Sequence, residues 1–185
     1  MIIRLGNTLA RKIKEMVLPP VASGPNPFAD WTARLFTADH TQYILVSNTA
    51  TLYSAVFYGR GITDANRLIN RMLDNLRDIA EKNGFESIYE NRVAPETGEF
   101  SFSKAVNRSV TGSMNDLIFQ ARDYLHSDEI SCFDVALRLN KTPMSYLKYE
   151  HPRETFGRMA LELERSETKD NIIPFPGTQT VRKDR

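Results

Sequence analysis

Hydrophobic and polar positions in the first third of the chain follow the pattern of β-strands. Residues 2–5 form a short apolar run, residues 31–36 alternate in polarity, and residues 43–47 are almost continuously apolar, as in a central strand. Residues 51–58 are rich in aromatic and β-branched side chains, which favour strands. Short polar turns separate the last three runs, which predicts an antiparallel meander. Phe100 and Phe102, each followed by a serine, indicate one more strand.

The spacing of apolar residues changes to a helical one from residue 63. Apolar side chains recur at steps of three and four through residue 83, Thr63 can cap the start, and Gly84 can end the helix in a left-handed conformation. Further predicted helices cover residues 7–16 with Asn7 as cap, 114–125, 130–139, a start at Thr142-Pro143, and 152–165.

Two segments interrupt these patterns. Residues 18–30 contain four prolines and a glycine and are expected to form a surface loop. Residues 166–185 are mostly polar and form a predicted flexible tail with one apolar segment at 172–175. We therefore expect one α+β domain over residues 1–165, with a small antiparallel sheet of four to five strands and helices packed on one of its faces.

Composition narrows the class of protein. The 24 Lys and Arg residues nearly balance the 23 Asp and Glu residues, so the chain lacks the positive excess that binds nucleic acid or anionic membranes. We therefore do not expect nucleic-acid binding, although the sequence leaves a local basic patch open. The single cysteine, Cys132, excludes an intrachain disulfide and suits a reducing cytosol. Without a signal peptide or membrane-span pattern, we expect a cytoplasmic protein with no membrane contact.

The polar segment formed by residues 107–116 carries the richest candidate chemistry. On one interpretation, Ser113 and Asp116 form a capping box at the start of a helix, and Arg108 pairs with a nearby carboxylate. On the other, Arg108, the hydroxyls and the open amides hold a phosphate or carboxylate at the positive end of the helix dipole. The capping interpretation is favoured because every helix start leaves amides to satisfy.

Other features favour structural interpretations. Residues 48–51 are typical of an Asx turn, Trp31 of a core anchor, and Cys132 of a buried thiol. The three histidines are scattered, so no metal site and no cofactor are predicted. The common motifs of nucleotide-binding and hydrolytic enzymes are missing.

Several motifs together resemble a bacterial domain family of unknown function. They include Asn107-Arg108-Ser109-Val110-x-Gly112-Ser113-Met114-Asn115-Asp116 and Leu139-Asn140-x-Thr142-Pro143-Met144-Ser145. The resemblance covers about residues 1–150 and implies a single bacterial domain, often encoded alone. It implies no reaction and assigns no catalytic residue.

Two hypotheses of function follow. The first is a small binding or interaction module with a protein partner, such as an accessory protein of a mobile element; a homo-oligomer is also possible. The second is a ligand-binding protein or enzyme with an anion-binding pocket, where Arg108 clamps the substrate and Asp116 acts as base or metal ligand. It requires three motifs to meet in space, with these candidate residues: Asn48, Thr51, Lys104, Asn107, Arg108, Ser113, Asn115, Asp116 and Thr142.

Overall fold

A computed structural model describes residues 1–16, 19–105, 107–127 and 130–170. The strands are β1 (Ile2–Leu5), β2 (Asp30–Ala38), β3 (Thr41–Asn48), β4 (Ser54–Tyr58) and β5 (Ser101–Lys104), in the sheet order β4-β3-β2-β1-β5. The helices are α1 (Asn7–Ile13), α2 (Ala65–Asn83), α3 (Glu86–Ile88), α4 (Arg108–Ser127), α5 (Cys132–Leu139) and α6 (Pro152–Asp170). The predicted apolar segment at 172–175 lies outside the described residues.

The sheet is mixed, so the prediction of an antiparallel sheet was wrong. The meander is confirmed, because β2, β3 and β4 pair antiparallel in succession. However, β1 pairs parallel with both β2 and β5. Residues 6–29, which contain α1, are long enough to carry the chain across to a parallel neighbour. An alternating pattern places side chains on faces but does not encode the direction of a neighbouring strand.

Helices cover both faces of the sheet, which corrects the expectation of helices on one face. Ile44 and Leu45 project from opposite faces, and both are fully buried. On the Ile44 face, Lys12 of α1 donates a hydrogen bond to Gln42. On the other face, Arg34, which pairs with Leu45 across the ladder, donates to the backbone of α4. A sheet buried on two sides needs apolar cover on each.

The helix boundaries differ from the predicted ones where polar residues compete for the cap. Asp64, rather than Thr63, caps α2 by accepting from the amide of Arg67 at 2.9 Å. Gly84 ends this helix with φ 76°, as predicted. At α1 the residue before the helix is Gly6, so Asn7 is already helical. The last helix continues to Asp170, past the predicted domain boundary at residue 165, which itself stays a prediction.

No α-helix begins at Thr142-Pro143. Met144 instead bridges to Glu150, and a single 3₁₀ turn covers Ser145–Leu147. The Thr142 hydroxyl donates to the Gln120 side chain at 2.9 Å, which ties this segment to α4. A Thr-Pro pair is compatible with a helix start, but here a tertiary contact determines its conformation.

Aromatic rings fasten α6 to the sheet. The ring of Phe156, almost fully buried, stacks on Tyr53 with 4.3 Å between centroids and meets Phe28 edge-on at 4.9 Å. Phe85 and Trp31 complete the cluster. The indole N–H of Trp31 donates to the Phe28 carbonyl at 2.8 Å, which confirms Trp31 as a core anchor. Such ring pairs add to the stabilisation from burial alone.

A buried ion pair ties β1 to the start of β2. The Arg4 guanidinium donates to both carboxylate oxygens of Asp30, at 2.8 and 2.7 Å, and both side chains are at most 6% exposed. Asp30 also accepts from the hydroxyls of Ser23 and Thr49. Burial alone would raise the pKa of Asp30, but the hydrogen bonds and the charge of Arg4 outweigh it and hold that pKa below its ordinary value.

Replacing Arg4 by methionine is expected to destabilise the fold by about 3–5 kcal/mol near neutral pH, because the Asp30 charge stays buried without its partner. The wild-type contribution of Asp30 is complete above the pKa of an unfolded aspartate, about 3.9, and is lost as the pH falls through the lower folded value. In the variant the buried carboxyl gains from protonation. The difference in unfolding free energy should therefore be largest near neutrality and narrow below about pH 4 in urea titrations.

The matched control is Arg67→Met, which removes an exposed arginine paired with Asp64 at 3.3 Å. Exposed pairs contribute little, so this variant should unfold almost like the wild type. Equal losses of unfolding free energy in the two variants would show that the buried Arg4–Asp30 pair stabilises the fold no more than an exposed pair does.

Candidate functional site

The polar segment 107–116 is mostly helix. Asn107 caps α4, because its side-chain oxygen accepts from the amides of Ser109 at 3.0 Å and Val110 at 3.2 Å. Ser113 therefore lies in the second turn, where it is buried, and the predicted capping box of Ser113 and Asp116 is wrong. The asparagine at the start of the segment provides the cap, six residues before the predicted one.

Helix α4 places the rest of the segment on two sides. Val110 and Met114 face the core. Asn115 faces outward and accepts a hydrogen bond of 2.5 Å from the guanidinium of Arg34 on β2. The same guanidinium donates to the Thr111 carbonyl at 3.3 Å, and burial lowers the pKa of Arg34. The 107–116 segment therefore holds α4 against the sheet by accepting hydrogen bonds from Arg34, which lies on β2.

The corner between β3 and β4 is closed by one asparagine. Asn48 is fully buried, and its amide group donates to the carbonyls of Pro27 at 2.8 Å and Asp30 at 3.2 Å. Its side-chain oxygen accepts from the amides of Ala50 and Thr51 and from the Thr51 hydroxyl. This is the Asx turn that the sequence predicts. With these bonds made, Asn48 and Thr51 act as a structural latch.

A second buried asparagine connects the third motif to this corner. The side chain of Asn140 accepts from the Ser54 amide at 2.7 Å and donates to the Ser54 carbonyl at 2.8 Å. Thr142, two residues on, bonds to Gln120 of α4. The third motif therefore bonds to the strand that follows the β3–β4 corner and to α4 beyond the 107–116 segment, and the convergence of all three motifs in one pocket stays a prediction.

The nine candidate residues divide by exposure. Asn48, Thr51 and Ser113 are buried and Thr142 is half-buried. The remaining candidates are exposed: Lys104, Asn107, Arg108, Asn115 and Asp116. The exposed group surrounds the end of β5 and the start of α4, and its role in binding a ligand stays a prediction.

A groove along α6 has the properties of a binding site. It has a volume of about 710 Å³, and we call it the α6 groove. Its apolar surface comes from Phe85, after α2, and from Leu161, which is 55% exposed. Gly157 lies between them and allows α6 to approach the Phe85 ring, since a Cβ there would be 3.1 Å from that ring. The full lining is Phe85, Asn140, Lys141, His151, Arg153, Glu154, Gly157, Arg158 and Leu161.

The rim of the α6 groove carries more positive than negative charge. Lys141, Arg153 and Arg158 line it, against Glu154 as the one carboxylate among the described lining residues. The Arg153 guanidinium lies over the Phe85 ring at 5.9 Å from its centroid. Arg158 pairs with Glu150 at 2.5 Å, outside the lining, so part of its charge is already compensated. The groove thus combines an apolar floor with a basic rim.

Sequence reasoning missed this groove. Phe85 follows Gly84 at the end of α2, and its amide donates to the Ala80 carbonyl at 2.8 Å. The signal for Leu161 was a leucine on the polar side of a helix whose buried residues include Phe156 and Ala160. Phe85 and Leu161 are 76 positions apart, and no local pattern brings them together.

Other reactive groups offer no evident centre. Cys132 is buried, as predicted, and burial raises the pKa of its thiol to about 11, so it stays protonated. Over the described ranges, no three His, Cys, Asp or Glu side chains lie close enough together to hold a metal ion. In the same part of the chain, none of the helices combines the length and apolarity needed to cross a membrane.

The new assignment of the α4 cap has a measurable consequence. Asn107→Ala should lower the unfolding free energy by about 1 kcal/mol, because two amides lose their acceptor. Asp116→Ala, at an exposed helix position, should change it by less than about 0.5 kcal/mol. Chemical denaturation of both variants measures these changes. A larger loss of stability in Asp116→Ala than in Asn107→Ala would support the capping box of Ser113 and Asp116 instead.

Asn140→Ala should cost about 2–4 kcal/mol, because the buried amide and carbonyl of Ser54 both lose their partner. Denaturation in urea measures the loss. The control is Asn75→Ala, which removes a half-buried asparagine that donates to the Arg71 carbonyl of its own helix. Comparable stabilities for the two variants would rule out the latch.

Comparison with known proteins agrees with the resemblance noted from the motifs. A family model described as "Domain of unknown function (DUF6933)" matches residues 2–155. No curated protein and no solved structure matches the chain at a significant level. The matched region contains every strand of the sheet and ends within the first turn of α6. The chain therefore belongs to the DUF6933 family of domains of unknown function.

Proposed function

We propose that this protein is a binding module that holds an acidic amphipathic segment of a partner protein in the α6 groove. The observation that carries the proposal is an exposed leucine facing an aromatic ring across a cavity with basic walls: Leu161, Phe85, and the cations Lys141, Arg153 and Arg158. A binding module of this kind needs no catalytic residue.

The apolar floor supports a peptide-like ligand. A leucine that is 55% exposed on a helix leaves apolar surface in water, and burying it under a partner side chain would recover that free energy. The volume of about 710 Å³ accommodates one or two large side chains. An amphipathic helix presents such side chains at steps of three and four residues, which suits an elongated groove.

The charges on the rim support an acidic partner. Lys141 is exposed, and its ammonium group has no partner within the described parts of the chain. An acidic segment would be steered toward this rim and would pair with Lys141, while a basic segment would be repelled. The charge pattern thus favours one orientation and one class of partner.

The walls of the groove support a preformed site. Phe85 packs against Phe156 at 5.8 Å, and Asn140 is fixed by its two bonds to Ser54. Arg153 donates to the Asn83 carbonyl at 3.3 Å. Because these walls are already ordered, little conformational entropy is lost when a ligand binds.

The pocket at 104–116 remains a second proposal, for a small anion. Its support is that Arg108 and Lys104 are both exposed near the capped start of α4. A thermal-shift screen of phosphates and carboxylates against wild type and Arg108→Ala tests it. A stabilisation that the variant loses would favour this pocket.

The α6 groove is tested with peptides selected from a displayed library of amphipathic helices. Binding of a selected acidic peptide, measured by fluorescence anisotropy, should weaken at least about tenfold in Leu161→Asp, because a carboxylate then occupies the apolar floor. Lys141→Glu should weaken the acidic peptide and strengthen a version in which lysines replace its glutamates.

The matched control is Phe119→Asp, the same type of change at an apolar side chain that is 74% exposed on α4, outside the groove. This variant should bind the peptide like the wild type. If Phe119→Asp and Leu161→Asp weaken binding equally, or if selection yields only basic peptides, the proposal is wrong.

A further inference from the structure

We propose that a second groove, at the turn of the β2–β3 hairpin, binds a small molecule that carries phosphate groups. We call it the hairpin groove. Its volume is about 850 Å³, and it lies where α1, the β2–β3 turn and the segment after β4 meet. It is lined by Lys12, His40, Thr41, Gln42, Tyr58, Arg60 and Gly61. None of these residues belongs to the α6 groove or to the motifs of the family resemblance.

The lining is cationic and rich in donors. Lys12 and Arg60 carry positive charges, and His40 adds its ring nitrogens to the lining. Thr41 and Tyr58 contribute hydroxyls, and Gln42 contributes an amide. No carboxylate occurs among the described residues that line the groove. Guanidinium and ammonium groups with neutral donors around them are the usual recognition set for phosphate.

Two carboxylates close to the lining in sequence are paired elsewhere. Asp39, next to His40, lies 3.0 Å from the ring nitrogen of His126 on α4. Asp64, which follows the Arg60 segment, pairs with Arg67 and caps α2. Neither carboxylate lines the groove, so neither competes directly with an anion for its cations.

Backbone geometry holds His40 at the edge of the groove. Asp39 and His40 both have positive φ, 43° and 61°, in a two-residue turn closed by the pairing of Ala38 with Thr41. This turn type is normally filled by Asn-Gly, because residues with a Cβ adopt left-handed φ at a cost. Such a conformation persists when the surrounding structure imposes it, and it recurs at ligand sites.

The two cationic side chains of the lining, Lys12 and Arg60, also lie on ordered parts of the fold. Lys12 is half-buried beside the core residue Ile13, and its ammonium donates to the Gln42 side chain at 2.7 Å. Arg60 follows Gly59, whose amide bonds to the Gln42 carbonyl at 2.7 Å. A Cβ on Gly59 would come 3.1 Å from that carbonyl, so glycine permits the close approach. This close approach restricts the distance between the Arg60 segment and the strand that carries Gln42.

The size and the charge together favour a small phosphorylated molecule over a long polyanion. A volume of about 850 Å³ lies in the range of small-molecule sites. A nucleic-acid chain would need a track of basic residues beyond the groove, and the chain as a whole has a net charge of only +1. The two cations in one concavity can make charge-assisted contacts with the oxygens of a phosphate or pyrophosphate group.

The test is a calorimetric titration of the full-length protein with inorganic pyrophosphate. We expect saturable binding that weakens about tenfold in Arg60→Gln and in Lys12→Gln, since each loses a charge-assisted contact. The matched control is Arg11→Gln, which removes the same charge one position away on α1 from an exposed side chain outside the lining. It should change the affinity by less than about twofold.

Two results would overturn the inference. Equal weakening in Arg11→Gln and Lys12→Gln would show that pyrophosphate responds to overall charge and not to this groove. Tight, length-dependent binding of a single-stranded oligonucleotide, without saturable binding of pyrophosphate, would identify a polyanion surface instead. Circular dichroism melts of each variant should match the wild type, because Arg60 is exposed and Lys12 keeps its helical backbone.

Discussion

The Arg4–Asp30 ion pair is the interaction on which the arrangement of this fold depends. It connects the central parallel strand β1 to the first residue of β2, at the position where their pairing begins. Arg4 also donates to the carbonyl of Val21, while Ser23 and Thr49 donate to Asp30. One buried pair thus fastens the proline-rich segment and the β3–β4 corner to the sheet. Because each partner compensates the charge of the other, the group is stable only when all of these elements are in place.

The motifs that give the chain its family resemblance are largely structural in this protein. Asn48, Asn107 and Asn140 each satisfy backbone groups that the fold would otherwise leave without partners. Asparagine suits this task because its side chain both donates and accepts. The two grooves are built from other residues. In the α6 groove, Gly157, Arg158 and Leu161 follow the region that the family model matches, so this wall lies outside that region.

A balanced net charge hides two basic surfaces. The 24 cationic and 23 acidic side chains nearly cancel over the sequence, yet in both grooves the lysines and arginines of the lining outnumber its carboxylates. The neighbouring carboxylates lie outside the linings: Asp39 and Asp64 pair with His126 and Arg67, and Glu150 pairs with Arg158 of the α6 groove. The local electrostatic potential depends on which charged groups pair in the folded chain, whereas composition gives only the total charge. A balanced net charge is therefore compatible with an anion-binding groove.

Much of the local structure was readable from the sequence. The meander, the extent of α2, its end at Gly84 and the burial of Trp31 follow from side-chain periodicity and from the conformational freedom of glycine. The cap of α4 was misplaced because several polar residues in 107–116 can each accept from an amide, and only packing of Val110 and Met114 selects Asn107.

The direction of β1, the cover on both faces and the two grooves were decided by tertiary structure alone. Each depends on residues far apart in the chain, such as Phe85 with Leu161 or Lys12 with Arg60. The sequence by itself determined which segments could be strands or helices and which side chains had to be buried, because those preferences are local. Which segments meet is determined by packing and by long-range pairing of buried polar groups, and neither leaves a local pattern.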